Sequence, residues 1–237
     1  MSAFNVLKTN HFMLGIDFHD ALIPTIPKPV PLIPHSVFAP LEGYVGAASV
    51  KKAAKTNAEY VPMLQRGTDI GICIPHFGLN LLLPLVILGS GSKSYFGAGT
   101  VKLEGTATGV AVLHDANINL NCGGGTTPPT PTGYVFAPAT VRCGMTMGDL
   151  YAGIAQMVVE GLITWGINFA LGKATEGLGP VIGSMASLLA GWVLGTPLGY
   201  AFGGGGLIGA TGAYAQLDKG HDAIADYYND PKRRVFR

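Results

Sequence analysis

The sequence predicts a mainly β protein followed by an α-helical hairpin of transmembrane-like character. Three observations lead there. Composition changes near residue 145; short strings recur before that point; and charge almost disappears after it. Across 237 residues only 12% are charged while 48% are hydrophobic, with 35 glycines and 16 prolines. Disorder is excluded, because it needs low hydrophobicity and high charge, and the mean hydropathy is +0.36. A net charge of +1 with no basic stripe argues against nucleic-acid binding.

Residues 1–149 form the first predicted unit. Pro, Gly, Val and Thr dominate it without helical periodicity, the pattern of short strands and turns. Three related strings, GAASVKK (46–52), GAGTVKL (97–103) and APATVRC (137–143), each place small residues before a Ser/Thr-Val-basic triplet. Each is followed by a turn with an aspartate: Asp69, Asp115 and Asp149. Recurrence of this kind predicts pseudo-symmetric units that share a core. Between them, PTIPKPVPLIPH (24–35) alternates proline with aliphatic residues and should run extended, as polyproline or an edge strand. TTPPTPTG (126–133) follows CGGG and reads as a loop.

Residues 150–217 form the second unit. Leu150–Leu171 contains Glu160 as its one charge, and Leu178–Leu217 contains none. About 20 apolar residues span a bilayer core, so two apolar helices are expected, over 150–172 and 180–202, joined by KATEGLGP. Gly191, Gly195, Gly199 and Gly203 recur every fourth residue, a spacing that lets membrane helices approach closely. A buried hairpin in a soluble protein is the alternative. The tail, 218–237, is polar again, and DKGHDAIADYYND reads as a solvated helix.

The N-terminus shows no basic stretch followed by an apolar core, so a cytoplasmic protein without a secretory signal is expected. Cys73, Cys122 and Cys143 are too few for a disulfide framework, which leaves buried free thiols or metal ligation. With His11 and His221 set aside, His19, His35, His76 and His114 join Cys73 and Cys122 in the turns of the first unit. Imidazole and thiolate are zinc ligands, and a small strand-rich unit gains folding free energy from such a clip. His221 and Asp222 are adjacent, but no nucleophile with an oxyanion hole accompanies them, so no enzyme is expected. A catalytic zinc would need an open coordination position.

Residues 12–150 resemble the PAAR-repeat proteins, the pointed tips of bacterial type VI secretion and related contractile injection spikes. FHDALIPTIPKPVPLIPH is similar to the family's histidine, proline-rich run and second histidine. GTDIGIC places Cys73 four residues after Asp69, and Cys122-Gly-Gly stands where the family has His-Gly-Gly. GAGTVKLEGTATGVAVLHD resembles the repeated unit, although the Pro-Ala-Ala-Arg string is absent. The resemblance implies a small conical tip with a structural zinc ion held by His19, His35, Cys73 and Cys122. His114 and His76 are reserves for the fourth place. It also implies a trimeric VgrG-like spike as partner, and apolar helices shielded by an Eag-type chaperone before firing. Those helices would then aid effector delivery across a target-cell membrane. A membrane-active, pore-forming effector, its glycine-rich hairpin itself the toxin, is the alternative.

Overall fold

The computed structural model describes residues 2–26, 28–41, 52–68, 76–84, 92–121, 126–175 and 213–231. The chain is mainly β, with one long apolar helix. Twelve strands are described: β1 (Ser2–Asn5), β2 (Phe12–Ala21), β3 (Val30–Pro40), β4 (Lys52–Ala58), β5 (Val61–Leu64), β6 (His76–Phe77), β7 (Ser92–Lys93), β8 (Gly97–Leu103), β9 (Thr106–Gly109), β10 (Ala116–Asn121), β11 (Gly133–Phe136) and β12 (Arg142–Met145). Helices α1 (Met147–Thr175) and α2 (Ala213–Asn229) follow.

The three recurrent strings each lead into a two-stranded ribbon. GAASVKK ends on Lys52, where β4 begins and pairs with β5; GAGTVKL is β8 and pairs with β9; APATVRC runs into β12, which pairs with β1. The first two ribbons close through two-residue turns, Glu59-Tyr60 and Glu104-Gly105, with positive φ at all four positions. That is the turn that matches strand twist, and only Gly105 adopts it without strain. Glu59 compensates by accepting hydrogen bonds from Lys8 and from the backbone and hydroxyl of Thr140. Single bridges then join ribbon to ribbon: Lys8 to Met63, Gln65 to Thr108, and Val6 to Val110. The third unit borrows its second strand from the N-terminus, and the bridges close a ring of three.

The remaining strands form an antiparallel sheet in the order β6-β3-β2-β11-β10-β7. Burial alternates along β2 and along β3 from Ile33 onward. Met13, Asp17 and His19, with His35, Val37 and Ala39, are buried, while Leu14, Ile16 and Phe38 face outward. The second half of the Pro-rich run, from Val30, becomes an extended strand, whereas Pro24 and Thr25 lie in a turn. Among the described residues only Ser36 and Val37 of β3 pair with β6 on that side, and along an edge proline's missing N–H costs nothing. One core gathers Leu7, Met13, Leu41, Leu64 and Val135, and a second gathers Val6, Tyr95, Phe96, Val110 and Met157 of α1.

α1 starts in a capping box. Thr146 Oγ1 accepts from the Asp149 N–H at 3.1 Å, and Asp149 Oδ2 accepts from the Thr146 N–H at 2.9 Å. Asp149, read from sequence as a repeat turn, is thus a helix cap. Met147–Leu171, 25 residues, is long and apolar enough to cross a membrane by length and composition. The expected second apolar helix, 180–202, lies outside the described residues. The tail helix is not simply solvated. α2 runs antiparallel to α1, with Gly148 against the Ala225 carbonyl and Asn229, the Tyr151 ring 4.9 Å from that of Tyr228, and His221 buried.

Candidate metal centre

His19 and His35 meet on the buried face of the β2–β3 ribbon. Their ring centroids are 5.0 Å apart, edge to face at 85°. Both are almost fully buried, His35 at 0% and His19 at 3% exposure. The ribbon bends beside them, because pairing slips between His19 (opposite Ile33) and Ala21 (opposite Val30). Pro31 and Leu32 of β3 stand there opposite the single residue Asp20, and Leu32 has φ +59°. A bulge of this kind re-aims neighbouring side chains and recurs beside functional sites.

Hydrogen bonds fix both imidazole tautomers. Asp17, itself buried, sits with Oδ2 3.2 Å from His19 Nε2. A carboxylate only accepts, so Nε2 carries a proton, and in the neutral ring the lone pair lies on Nδ1. His35 Nδ1 donates to the Ile33 carbonyl at 2.9 Å, which puts its lone pair on Nε2. Burial first, and the adjacent His19 second, lower the His35 pKa from 6.5 and favour the neutral ring. Metal-binding histidines are held in this way, the second nitrogen donating to a carboxylate or carbonyl. Gly78 leaves room beside His35, since a Cβ there would lie 1.9 Å from the ring's Cδ2.

Cys73 and Cys122 lie outside the described residues, but the chain after Cys73 and on both sides of Cys122 is anchored near the histidine pair. β6 begins three residues after Cys73, with His76 and Phe77 opposite Val37 and Ser36. Asn121 donates from Nδ2 to the Ile16 carbonyl at 3.1 Å. After the CGGG segment, Thr127 Oγ1 donates to Asp20 at 2.6 Å and accepts from the Leu32 N–H at 3.1 Å. One hydroxyl therefore ties together the two strands that carry the histidines. His76 is described only in its backbone. Among the described residues no group of three or more histidine, cysteine or acidic side chains converges to hold an ion.

Register places His114 elsewhere. It precedes β10, and Ala116 aligns with Phe136 and then Phe12, at the far end of β2 from His19. Seven residues of strand separate Phe12 from His19, about 23 Å. His114 pairs instead with Asp115 at 3.0 Å on the surface. His11 is a structural residue, accepting from the Lys8 N–H and contacting the Pro138 carbonyl, each at 3.2 Å. Burial first, and Lys8 second, lower its pKa to about 4. Cys143 is a buried free thiol whose pKa burial raises.

Asp17 was not among the residues singled out from sequence. Its signal is the Asp-x-His spacing, which puts both side chains on one face of a strand. Comparison with protein-family models, curated proteins and solved structures finds no match to this chain.

Proposed function

We propose that this chain is the zinc-stabilised tip of a contractile injection spike of the type VI kind, seated on a trimeric VgrG-like protein. The ring of three ribbons carries this reading: three related strings yield three two-stranded units, each bridged to the next. Such a unit offers one edge to each subunit of a three-fold partner, and strand edges pair readily with other sheets. The buried histidine pair supports the metal. His19 and His35 would hold zinc through the lone pairs that Asp17 and Ile33 direct, with Cys73 and Cys122 completing a closed shell. The ion supplies stiffness at the tip, and the chain acts by piercing and carrying, not as an enzyme. It is cytoplasmic before firing and leaves the cell on the spike.

The apolar hairpin aids passage of an effector through the target cell's inner membrane. Leu162, Ile163, Trp165 and Phe169 of α1 are exposed, the kind of surface an Eag-type chaperone would cover before firing. That same exposure favours the second reading, a pore-forming effector. Elemental analysis of the purified chain should return about one zinc per chain, as a closed four-ligand site requires. A protein free of metal and unchanged by chelation would refute the centre. Co-purification with a VgrG-like trimer should yield one copy per trimer, and no binding to any such spike end would refute the tip. Dye release from vesicles by the full chain alone would favour the pore-former.

A further inference from the structure

Glu160 is the one charged residue between Leu150 and Leu171, and α1 buries it, at 6% exposure. Its carboxylate accepts from Lys93 Nζ at 3.0 and 2.9 Å, from the Tyr95 hydroxyl at 3.0 Å and from Gln156 Nε2 at 2.8 Å. Gln156 also reaches Asp218 at 3.3 Å, and its Oε1 accepts from His221 Nδ1 at 2.9 Å. Lys93 and Tyr95 belong to the β-rich body, Gln156 and Glu160 to α1, and Asp218 and His221 to α2. The body and α1 therefore close on one carboxylate, and α2 is joined to it through Gln156.

The rest of α1 is docked in an unusual sense. A helix against a protein body normally buries its apolar stripe. Here the buried stripe is Ala152, Gly153, Gln156, Met157 and Glu160, and past Glu160 the helix turns Leu162 (59% exposed) and Phe169 outward. Hydrogen bonds and charge join Met157 and the Gly153–Phe96 contact in holding the helix, while the surface left outside suits a hydrocarbon phase.

We propose that Glu160, closed over by Lys93, Tyr95 and Gln156, is a releasable latch holding α1 on the body, and that neutralising it frees the helix for a lipid bilayer. The lipid arm rests on the membrane-entry reading above; the latch arm does not. One carboxylate acts in both states with the same sign. Ionised and paired, it favours docking; carried unpaired into lipid, it opposes insertion.

The test uses the full chain with Trp192→Phe, which leaves Trp165 of α1 as the one tryptophan. Amide exchange is followed by mass spectrometry, and partition is measured with phosphatidylcholine–phosphatidylglycerol vesicles. Glu160→Gln should raise exchange across 150–164 by roughly tenfold or more, the effect of losing a charge-assisted hydrogen bond, with β2 and β3 unchanged. It should also increase the vesicle-bound fraction and shift Trp165 emission to the blue. Lys93→Ala should loosen α1 as much but bind vesicles less, because the charge remains. Tyr95→Phe should give a smaller rise in exchange, and it decides the matter should Lys93→Ala also unfold the body. Unchanged α1 exchange in both Glu160→Gln and Tyr95→Phe would overturn the latch. Faster α1 exchange with no vesicle binding by any variant would uphold the latch and overturn the lipid arm.

Discussion

The two buried polar clusters, one around His19 and His35 and one around Glu160, meet the cost of burial differently. In the first, Asp17 and the Ile33 carbonyl engage one nitrogen of each ring and direct the other's lone pair. In the second, the charge is answered within the chain, by an ammonium, a phenol and an amide. The first cluster has the hydrogen bonding that the proposed zinc site would need; the second answers its own charge and holds two elements together. The difference predicts different sensitivities: the first to metal and to small steric changes, the second to protonation and to loss of a partner.

Acid is the largest expected perturbation of the second cluster. Burial first, and Arg66 second, lower the His221 pKa from 6.5 to about 4. The unfolded chain therefore takes up this proton before the folded one, so stability falls as pH drops from 6.5 toward 4. The loss from this group is about 3 kcal/mol, and its contribution is constant outside that window. Urea midpoints measured across the range should show the slope, and His221→Gln should flatten it. His11 adds a slope of the same sign, independent of α1.

Next comes a contrast between two glycines. Gly78→Ala drives a methyl into the ring of His35 and should cost about 1–3 kcal/mol, and on the proposed zinc site it should weaken metal binding as well. Gly161→Ala meets only Leu120, at 3.6 Å, and should stabilise α1 by about 0.8–1 kcal/mol through helix propensity alone. Thermal unfolding with and without chelator separates the two. The cap has an effect of similar size and opposite sign: Thr146→Ala should lower stability by about 1 kcal/mol and fray the first turn of α1, visible as faster exchange there.

Local chemistry made much of this readable. Pro, Gly and Ser/Thr-Val-basic strings specify strands and turns, and an apolar run with one glutamate specifies α1, because these signals act over a few residues. What stayed hidden depends on partners far along the chain. Glu160 is joined by Lys93, 67 residues earlier, and His221 by Gln156, 65 residues earlier. No local pattern announces such pairs. His221 read as polar and solvated because its burial comes from α1 and not from its own helix. His114 looked equivalent to the other histidines until antiparallel register set it at the opposite end of a ten-residue strand.

The pairing of β1 with β12 has a mechanical meaning. Ser2 lies opposite Met145 and Asn5 opposite Arg142, while the chain enters the body after Asn5 and leaves for α1 after Met145. Tension applied through α1 therefore slides the two strands along each other, so their cross-strand bonds share the load instead of opening one at a time. A helix drawn toward another phase would pull against a clamp set in shear. The β-rich body would keep its shape while its tether moved.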